Sequence, residues 1–368
     1  MAGPRIRYAV VGLGHIAQTA VLPAFAHARE NSELMALVSD DTEKLSTLAE
    51  RHNVPNTFTY DQYGECLQEV DAVYIALPNH LHARYSVLAA RAGVHVLCEK
   101  PMAVTVDECE QMIAAAREHD VKLMVAYRLH FEQVNLQAAE LSSDGSIGEA
   151  KLFNSTFTMR VDPDNIRAKR ATGGGTLYDI GVYCINASRY LFRAEPKEVI
   201  GASVNGDPER LPEIEETFAA TMRFEDERLA SFVVSFNATD VGWYEIVGTK
   251  GSLRVDPAYE YSQGLAYELN IGGKKMRKET QKRDQFAAEI LYFSDCVINN
   301  RPPEPSGEEG LQDVRIITAL YESADAGKPI EIPPYVPSAR PTLEQDIQRP
   351  PVDHPPKPVA ARAPHAKN

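Results

Sequence analysis

Residues 7–20 read RYAVVGLGHIAQTA: a short apolar run, two closely spaced glycines and a stretch of helix-forming composition. The glycines stand in the pattern Gly12-x-Gly14-x-x-Ala17, directly after the apolar run. In this pattern the first glycine permits a tight turn, the second lets the backbone approach a pyrophosphate, and the small third residue lets helix and strand pack closely. The free N–H groups at the start of the helix favour an anion. The stretch therefore predicts the strand, phosphate loop and helix of a dinucleotide-binding βαβ unit.

The alternation of apolar strands and helices continues to about residue 125. We predict strands at 7–12, 33–39, 71–77, 95–99 and 122–127, and helices at 15–28, 42–53, 82–93 and 106–120. Continuous apolar strands separated by helices indicate a parallel sheet that is covered on both faces. We therefore expect residues 1–125 to form an α/β, doubly wound Rossmann domain that binds a dinucleotide.

The pattern changes after about residue 150, where several segments alternate apolar and polar residues and are joined by short turns. This alternation is typical of an antiparallel or mixed sheet with one covered face. Helices are predicted at about 176–192, 282–299 and 307–326. We expect residues 126–332 to form an α+β domain with a large, mostly antiparallel open sheet, which binds the substrate and carries the oligomer contacts.

The C-terminal segment is rich in proline: ten of the 24 prolines lie between residues 331 and 368. Proline has no backbone N–H group and breaks helices and inner strands, so this composition excludes regular secondary structure. Residues 333–368 are therefore expected to be either a disordered tail or an extended arm that lies on a partner subunit.

Composition and charge limit the function. The 368 residues carry a formal net charge of -14, which argues against nucleic acid and anionic membranes as partners because their phosphates would be repelled. The five cysteines are scattered and form no CxxC pair, which is typical of a reducing compartment. No apolar stretch is long enough to span a membrane, and no signal segment precedes the first strand. We expect a cytoplasmic protein.

The residues after the second predicted strand bear on the choice of dinucleotide. Residues 36–44 read ALVSDDTEK, which places Ser39 at the position that faces the 2′ group of the adenosine ribose. Ser39, with Lys44 one turn into the helix, suits a 2′-phosphate and favours NADP. Asp40 or Asp41 would suit the free hydroxyl of NAD if the register shifts by one residue.

Two further segments follow predicted strands of the same sheet, and ligands bind at the carboxyl ends of such strands. ALPNHLH (76–82) places Pro78, Asn79 and His82 near the cofactor, and no cysteine or carboxylate joins the histidines in a metal site. CEKPMA (98–103) places Glu99 and Lys100 at the same edge, and the proline that follows can fix the turn, with a trans or a cis bond.

The third segment with potential for chemistry is ATGGGTLYDIGVYCINASRYLF (171–192). Helical spacing puts Asp179 and Tyr183 on neighbouring positions of one face, beside an apolar stripe of Leu177, Ile180, Cys184, Ala187 and Leu191. Two interpretations stay open at this point. The helix can carry catalytic groups, or Thr176-x-x-Asp179 can be a capping box and the tyrosine a packing residue.

The segments GLGHIA, PNHLH, CEKP, YRLHF and GGGTLYDIGVY together resemble the glucose–fructose oxidoreductase (Gfo/Idh/MocA) family. The resemblance runs from about residue 6 to 332. It is strongest to the glucose–fructose and aldose–aldose oxidoreductases, since GGGTLYDIGVY carries a tyrosine where many relatives have a histidine. We expect the chain to differ from glucose–fructose oxidoreductase by lacking its export signal and N-terminal arm, and its proline-rich segment lies at the C-terminal side instead.

The resemblance implies roles for individual residues. Lys100, Asp179 and Tyr183 match the catalytic group, and Tyr127 and Arg128 of YRLHF match the substrate site together with Lys100 and Tyr183. The implied cofactor contacts are Gly12, Gly14, His15, Ile16, Ser39, Lys44, Leu77, Pro78, Asn79, His82, Glu99 and Lys100. Phe131, Arg167 and Trp243 are further candidates for a sugar pocket. No residue set suggests a metal.

The expected chemistry is the oxidation of an aldose at C1 to a lactone, with hydride transfer to NADP. A base must take the hydroxyl proton, and a tyrosine, which ordinarily ionises near pH ~10, needs a nearby cation to do so at neutral pH. Tyr183 is the expected base, Lys100 the cation and Asp179 the orienting group. The family implies a tightly bound cofactor that a second sugar re-oxidises, in a homodimer or homotetramer formed through the C-terminal sheet. The alternatives are a sugar or dihydrodiol dehydrogenase with exchangeable NAD(P) and, more remotely, a non-catalytic NADP-binding sensor.

Overall fold

The computed structural model describes residues 3–352, 355 and 357–365. The chain folds into two compact units. Unit 1 contains described residues of 1–131, 283–311 and 347–363, and unit 2 contains those of 132–282, 312–346 and 364–368. Each unit therefore draws on several separate parts of the chain. The continuous domains 1–125, 126–332 and 333–368 stay a prediction.

Unit 1 is built on a six-stranded parallel sheet with the order β3-β2-β1-β4-β5-β6. Its strands are β1 (Ile6–Val11), β2 (Ser32–Val38), β3 (Asn56–Phe58), β4 (Ala72–Ile75), β5 (His95–Glu99) and β6 (Leu123–Ala126). The order reverses between β1 and β4, which is the switch point at which doubly wound sheets bind ligands. The predicted Rossmann sheet is confirmed, and the short strand β3 is an addition to it.

Unit 2 is built on a nine-stranded sheet with the order β14-β13-β12-β11-β7-β10-β9-β8-β15. Its strands are β7 (Ala150–Arg160), β8 (Pro196–Val204), β9 (Thr217–Phe224), β10 (Leu229–Ser235), β11 (Asn237–Gly248), β12 (Gly251–Val255), β13 (Ala266–Ile271), β14 (Lys274–Glu279) and β15 (Ile330–Glu331). Only the pair β7 and β10 is parallel among the described strands of this sheet. The predicted large, mostly antiparallel sheet is confirmed.

Along the chain, the α-helices lie between these strands. The α-helices are α1 (Leu22–Ala24), α2 (Thr42–His52), α3 (Tyr63–Cys66), α4 (His82–Arg91), α5 (Val106–Glu118), α6 (Gln133–Ser143), α7 (Val182–Phe192), α8 (Gln285–Ile298) and α9 (Gly307–Ala326). Two π-helical stretches, Ala17–Val21 and Leu177–Gly181, lead into α1 and α7. Short 3-10 turns occur at Phe25–His27, Tyr60–Gln62, Asn79–Leu81, Arg128–Phe131, Ile166–Ala168, Arg170–Thr172 and Leu343–Gln345. Within the described residues, no helix combines the length and apolarity needed to cross a bilayer.

Helix α8 belongs to the core of unit 1, although it lies more than 150 residues after β6 in the chain. Asp284 caps its N-terminus by accepting a hydrogen bond from the Ala287 N–H at 3.0 Å. The Tyr8 hydroxyl of β1 lies 2.7 Å from Ser294 Oγ on α8, and both side chains are buried. The sheet of unit 1 is thus covered in part by a helix that the chain supplies late.

The predicted apolar stripe of the 171–192 segment is confirmed in unit 2. Leu177, Ile180, Cys184, Ala187 and Leu191 are all buried. α7 packs on β7, where the Cys184 thiol lies 3.3 Å from the Ser155 hydroxyl. This packing covers one face of the nine-stranded sheet and fixes which face of α7 remains for other contacts.

The proline-rich segment makes specific contacts within unit 1. Gln18 is fully buried, and its side-chain amide pairs with the backbone of Val359: Nε2 donates to the carbonyl oxygen at 3.0 Å, and Oε1 accepts from the N–H at 2.7 Å. Arg51 Nη1 donates to the Lys357 carbonyl oxygen at 3.2 Å, and Arg349 Nε donates to the His27 carbonyl oxygen at 3.1 Å. The described residues of 347–363, here called the arm, are thus held against unit 1 of the same chain.

Candidate active site

The phosphate loop shows why glycine is needed at its first position. Gly12 has φ +94, and a Cβ there would lie 2.6 Å from the Ala76 carbonyl oxygen, at the end of the neighbouring strand β4. A Cβ at Gly14 would meet no atom within 4 Å. Gly12 therefore serves the fold of the loop, whereas Gly14 leaves the backbone accessible, as a pyrophosphate requires. His15 and Ile16, the next two residues, are half-buried.

Ser39 is the first residue after β2, and its side chain is buried. Its Oγ accepts a hydrogen bond from the Asp41 N–H at 3.2 Å. Asp41 caps α2 by accepting from the Lys44 N–H at 3.0 Å, and its Oδ2 lies 3.3 Å from Lys44 Nζ. These contacts, the N–H bond foremost, lower the pKa of Asp41. Ser39 and Lys44 are thus held in one local arrangement.

Asp40 is exposed and turns towards the next loop, where its Oδ1 accepts a hydrogen bond from the Tyr60 N–H at 2.9 Å. The carboxylates of Asp40 and Asp41, which could have contacted a free ribose hydroxyl, therefore each accept a hydrogen bond from a backbone N–H group. Strand β2 ends at Val38, so Ser39, and neither aspartate, is the first residue after it. This geometry fits a 2′-phosphate better than a 2′-hydroxyl.

The loop after β4 places Leu77 in the core, with Pro78 and Asn79 half-buried beside it. His82 is fully buried: Nδ1 lies 2.9 Å from the Pro101 carbonyl oxygen, and Nε2 lies 2.8 Å from the Leu77 carbonyl oxygen. Burial lowers the pKa of His82. The imidazole thus connects the loops after β4 and β5, and both ring nitrogens face main-chain oxygens instead of a ligand.

Lys100 follows β5 directly and is half-buried, and the Lys100–Pro101 peptide bond is cis. Glu99 was predicted as a cofactor contact, but its carboxylate is engaged within unit 1. Glu99 Oε1 accepts from the Tyr74 hydroxyl at 2.9 Å, and Oε2 accepts from the Lys100 N–H at 3.3 Å. Burial raises the pKa of Glu99, and the charge of Lys100 opposes this effect.

Tyr127 and Arg128 follow β6, and both are buried. The Tyr127 ring stacks on His130 with centroids 5.7 Å apart, and Arg128 Nη1 donates to Gln285 Oε1 on α8 at 2.6 Å. Unit 1 thus gathers its predicted residues where β1, β2, β4, β5 and β6 end, the edge at which parallel sheets bind ligands.

Asp179 and Tyr183 lie in unit 2, on the π-helical stretch and on α7 respectively. Asp179 Oδ2 accepts a hydrogen bond from Arg167 Nε at 2.8 Å. The half-buried Tyr183 ring packs edge-on against Phe157, with centroids 5.7 Å apart, and lies 5.9 Å from Tyr259. The arrangement presents a carboxylate, a guanidinium and a phenol on neighbouring positions.

The capping-box interpretation of Thr176 is wrong. Thr176 makes no side-chain cap; its N–H and hydroxyl both donate to Glu215 Oε1, at 2.7 and 2.5 Å. The Tyr321 hydroxyl donates to the same oxygen at 2.8 Å. Glu215 thus holds the start of the helix that carries Asp179. Sequence reasoning missed it because Glu215 lies 39 residues from Thr176 and no local pattern links them.

Two further pocket candidates have other surroundings. Phe131 is buried against Tyr292, with ring centroids 5.1 Å apart in unit 1. Trp243 lies beneath the guanidinium of Arg254 at 4.1 Å. Its neighbour Tyr244 is buried on the face that α7 covers, and because side chains alternate along a strand, Trp243 points to the opposite face of the sheet. Trp243 is therefore not placed beside Tyr183.

Two family models match the chain. Residues 6–127 match an oxidoreductase family with an NAD-binding Rossmann fold (Gfo/Idh/MocA), and residues 135–254 match the Gfo/Idh/MocA C-terminal domain. A D-xylose 1-dehydrogenase (NADP(+)) from Haloarcula marismortui is 32% identical over 336 residues, which are 89% of this chain and 93% of that protein.

Solved structures agree with this result. The aldose–aldose oxidoreductase from Caulobacter crescentus, complexed with glycerol, is 37% identical with a TM-score of 0.85, and the match covers 89% of this chain and 100% of that chain. A 3-ketoreductase from Actinomadura kijaniata, complexed with NADP and TDP-benzene, is 27% identical with a TM-score of 0.79, over 87% of this chain and 98% of that chain. The predicted resemblance is confirmed, and the chain belongs to the Gfo/Idh/MocA family of oxidoreductases.

Proposed function

We propose that this protein is an NADP-dependent oxidoreductase that oxidises the C1 hydroxyl of an aldose to a lactone. The observation that carries the proposal is Tyr183, half-buried one turn after an Asp179 that Arg167 holds by a 2.8 Å hydrogen bond. A phenol can accept and donate a hydroxyl proton once a nearby positive charge favours its ionised form. The likeness to the aldose–aldose oxidoreductase, at 37% identity, supports an aldose as the substrate.

The fit to NADP rests on three features of unit 1. Gly12 makes the tight turn, Gly14 leaves the backbone open, and Ser39 with Lys44 stands where the 2′-phosphate of NADP would lie. NADP is also printed in the names of the Haloarcula dehydrogenase and of the Actinomadura complex. When bound, the nicotinamide accepts the hydride from the sugar carbon.

The catalytic roles follow from the chemistry of the side chains. Tyr183 takes the hydroxyl proton as general base, and a positive charge is needed to make a tyrosine basic enough at neutral pH. Lys100 supplies that charge and orients the sugar hydroxyl. Asp179 orients the catalytic side chains. Tyr127 and Arg128 complete the substrate contacts.

We further propose that the cofactor stays bound and is re-oxidised when a second sugar is reduced to an alditol, as the name aldose–aldose oxidoreductase suggests. The second candidate is a sugar dehydrogenase with an exchangeable cofactor. It is favoured by two D-xylose 1-dehydrogenases, from Haloarcula marismortui and Haloferax volcanii, which match 89% and 88% of this chain.

Assembly and location are part of the proposal. The face of the unit 2 sheet that carries Trp243 also exposes the apolar side chains Leu152, Leu229 and Val233, which lie on adjacent strands. Such a patch supports a homodimer or homotetramer formed through this sheet. All five cysteines are free and buried, which supports a reducing, cytoplasmic compartment.

The absorbance spectrum of extensively dialysed protein separates the two candidates. A retained nicotinamide, with the near-ultraviolet band of its reduced form appearing when an aldose is added, supports the sugar-to-sugar oxidoreductase. Protein that carries no nicotinamide and acts only with added NADP⁺ is an exchangeable dehydrogenase. If the protein oxidises no aldose, with either NADP⁺ or NAD⁺, the proposed function is contradicted.

A further inference from the structure

Next to Lys100 in the sequence, Glu99 belongs to a hydrogen-bonded group of three side chains that the proposed mechanism does not use. The Tyr74 hydroxyl of β4 lies 2.9 Å from Glu99 Oε1 at the end of β5 and 2.8 Å from Glu289 Oε1 on α8. Tyr74 and Glu289 are fully buried. All three residues belong to unit 1, so these hydrogen bonds join Glu99, the last residue before Lys100, to a helix of the core.

The number of protons available to these three side chains requires that one carboxyl group is protonated. A tyrosine hydroxyl has one proton to donate, yet Tyr74 stands within hydrogen-bond distance of two carboxyl oxygens. If both carboxyl groups were ionised, one of the two short oxygen contacts would have no proton between its atoms. One of the glutamates must therefore donate to the tyrosine.

The surroundings assign that proton to Glu289. Its second oxygen, Oε2, is buried with no hydrogen-bond partner among the described residues, which is costly for a carboxylate. Glu99, in contrast, also accepts the Lys100 N–H and lies beside that cation. Burial, and then the charge of Glu99, raise the pKa of Glu289 well above its ordinary value.

The other charged groups that face Glu289 do not reverse this assignment. Arg128 lowers the pKa of both glutamates, and Asp284 raises that of Glu289. Arg128 is itself hydrogen-bonded to Gln285 Oε1, and Asp284 is paired with His27 Nδ1 at 2.8 Å. The direction of hydrogen bonding is therefore from Glu289 to Tyr74 and from Tyr74 to the Glu99 carboxylate.

We infer that Glu289 and Tyr74 are positioning residues for Lys100: a neutral Glu289 holds Tyr74, and Tyr74 holds the Glu99 carboxylate whose other oxygen fixes the Lys100 backbone. The inference rests on the proposed function, in which Lys100 acts on the sugar hydroxyl. It extends that function to a helix 189 residues further along the chain. Small displacements of a reacting group cost much of a catalytic rate, so the support matters for turnover.

Kinetics of four variants test the inference. Tyr74→Phe removes the donor to Glu99 and is expected to lower kcat by about 10–100-fold, while the dissociation constant for NADP stays unchanged. Glu289→Leu, which removes the donor to Tyr74, is expected to lower kcat less. Glu289→Gln keeps a neutral N–H donor and is expected to retain most of the wild-type kcat. Tyr8→Phe is the matched control, because it also removes a buried tyrosine hydroxyl bonded to α8, through Ser294, without contacting Glu99.

The pH profile separates positioning from a general loss of stability. Loss of the Tyr74 hydrogen bond disfavours the ionised form of Glu99, so the acidic limb of the kcat profile is expected to move to higher pH in Tyr74→Phe but not in Tyr8→Phe. Equal effects of the two tyrosine variants, or a Glu289→Gln variant as slow as Glu289→Leu, would overturn the inference.

Infrared spectroscopy tests the proton directly and needs no activity. The carbonyl stretch of a protonated carboxyl group should be present in the wild-type protein at neutral pH, disappear in Glu289→Gln and persist in Glu99→Gln. A band that disappears in Glu99→Gln instead, or is absent from the wild type, refutes the assignment. Because this result does not depend on sugar oxidation, it distinguishes failure of the inference from failure of the proposed function.

Discussion

Tyr183 is the residue on which the proposed chemistry most depends. Removing its hydroxyl should leave the fold intact, because the ring packs through its edges and faces on Phe157 and Tyr259. Tyr183→Phe is expected to lower turnover by about 10²–10⁴-fold, the usual contribution of a general base. Steady-state kinetics with the preferred aldose, together with circular dichroism, make the measurement.

The control for this variant lies on the same helix. The Tyr190 hydroxyl donates to Asn135 Oδ1 at 3.1 Å in the interior of unit 2. Tyr190→Phe should lower stability by about 1 kcal/mol, the cost of one buried hydrogen bond, without slowing turnover. A Tyr183→Phe enzyme as active as Tyr190→Phe would rule out Tyr183 as the base.

Glu289 also makes stability depend on pH in a defined direction. Its pKa in the folded protein is raised above the ordinary 4.5, so between these values the folded state holds a proton that the unfolded state has released. The free energy of unfolding should therefore fall as pH rises through this window. In Glu289→Gln this fall should be smaller, as measured by urea unfolding at a series of pH values. Parallel curves for the two proteins would contradict the raised pKa.

At the scale of the elements, the two glycines of the phosphate loop should behave differently. Gly12→Ala forces a Cβ towards the Ala76 carbonyl oxygen at 2.6 Å and into a positive φ, so a clear loss of stability is expected. Gly14→Ala meets no neighbouring atom, so the melting temperature should hold while NADP binding weakens. Calorimetry of unfolding and titration with NADP test the pair. Equal loss of stability in both variants would contradict this division of roles.

Local patterns in the sequence were enough to predict most elements. The phosphate loop and the apolar stripe of Leu177 to Leu191 were predicted because glycine spacing and helical periodicity are encoded within a few residues. No local pattern predicts strand β14, because Lys274–Glu279 is exposed throughout and shows no apolar alternation. The glycine pair at 272 and 273, a common hairpin turn signal, could have indicated it.

The remaining site contacts could not be predicted because they join distant parts of the chain. Glu215 holds Thr176, and Glu289 holds Tyr74, in each case across many residues and through side chains that carry no motif. His82 was correctly placed after β4, but only the packed structure shows that both its ring nitrogens face main-chain oxygens. Motifs locate the edge of a sheet; tertiary packing decides what each side chain does there.

At the scale of the molecule, the arm over residues 347–363 should contribute to the stability of unit 1. A chain ending after Asp346 loses the two Gln18–Val359 hydrogen bonds, each of about 1 kcal/mol, and leaves the buried Gln18 amide short of partners. We expect a lower melting temperature and faster loss of bound NADP on dialysis. A chain ending after Ala363 keeps these bonds and is the control. Identical melting of the two truncated proteins would show that the arm adds nothing to unit 1.

The discontinuous make-up of unit 1 has a consequence for synthesis on the ribosome. Translation proceeds from the N-terminus, so residues 1–131 emerge first, long before α8 and residues 347–363 are made. During that interval Tyr8 and Gln18, buried in the finished protein, have no α8 and no Val359 to cover them. The nascent first segment therefore exposes surface that chaperones can recognise, and unit 1 is completed only after residues 347–363 have been translated.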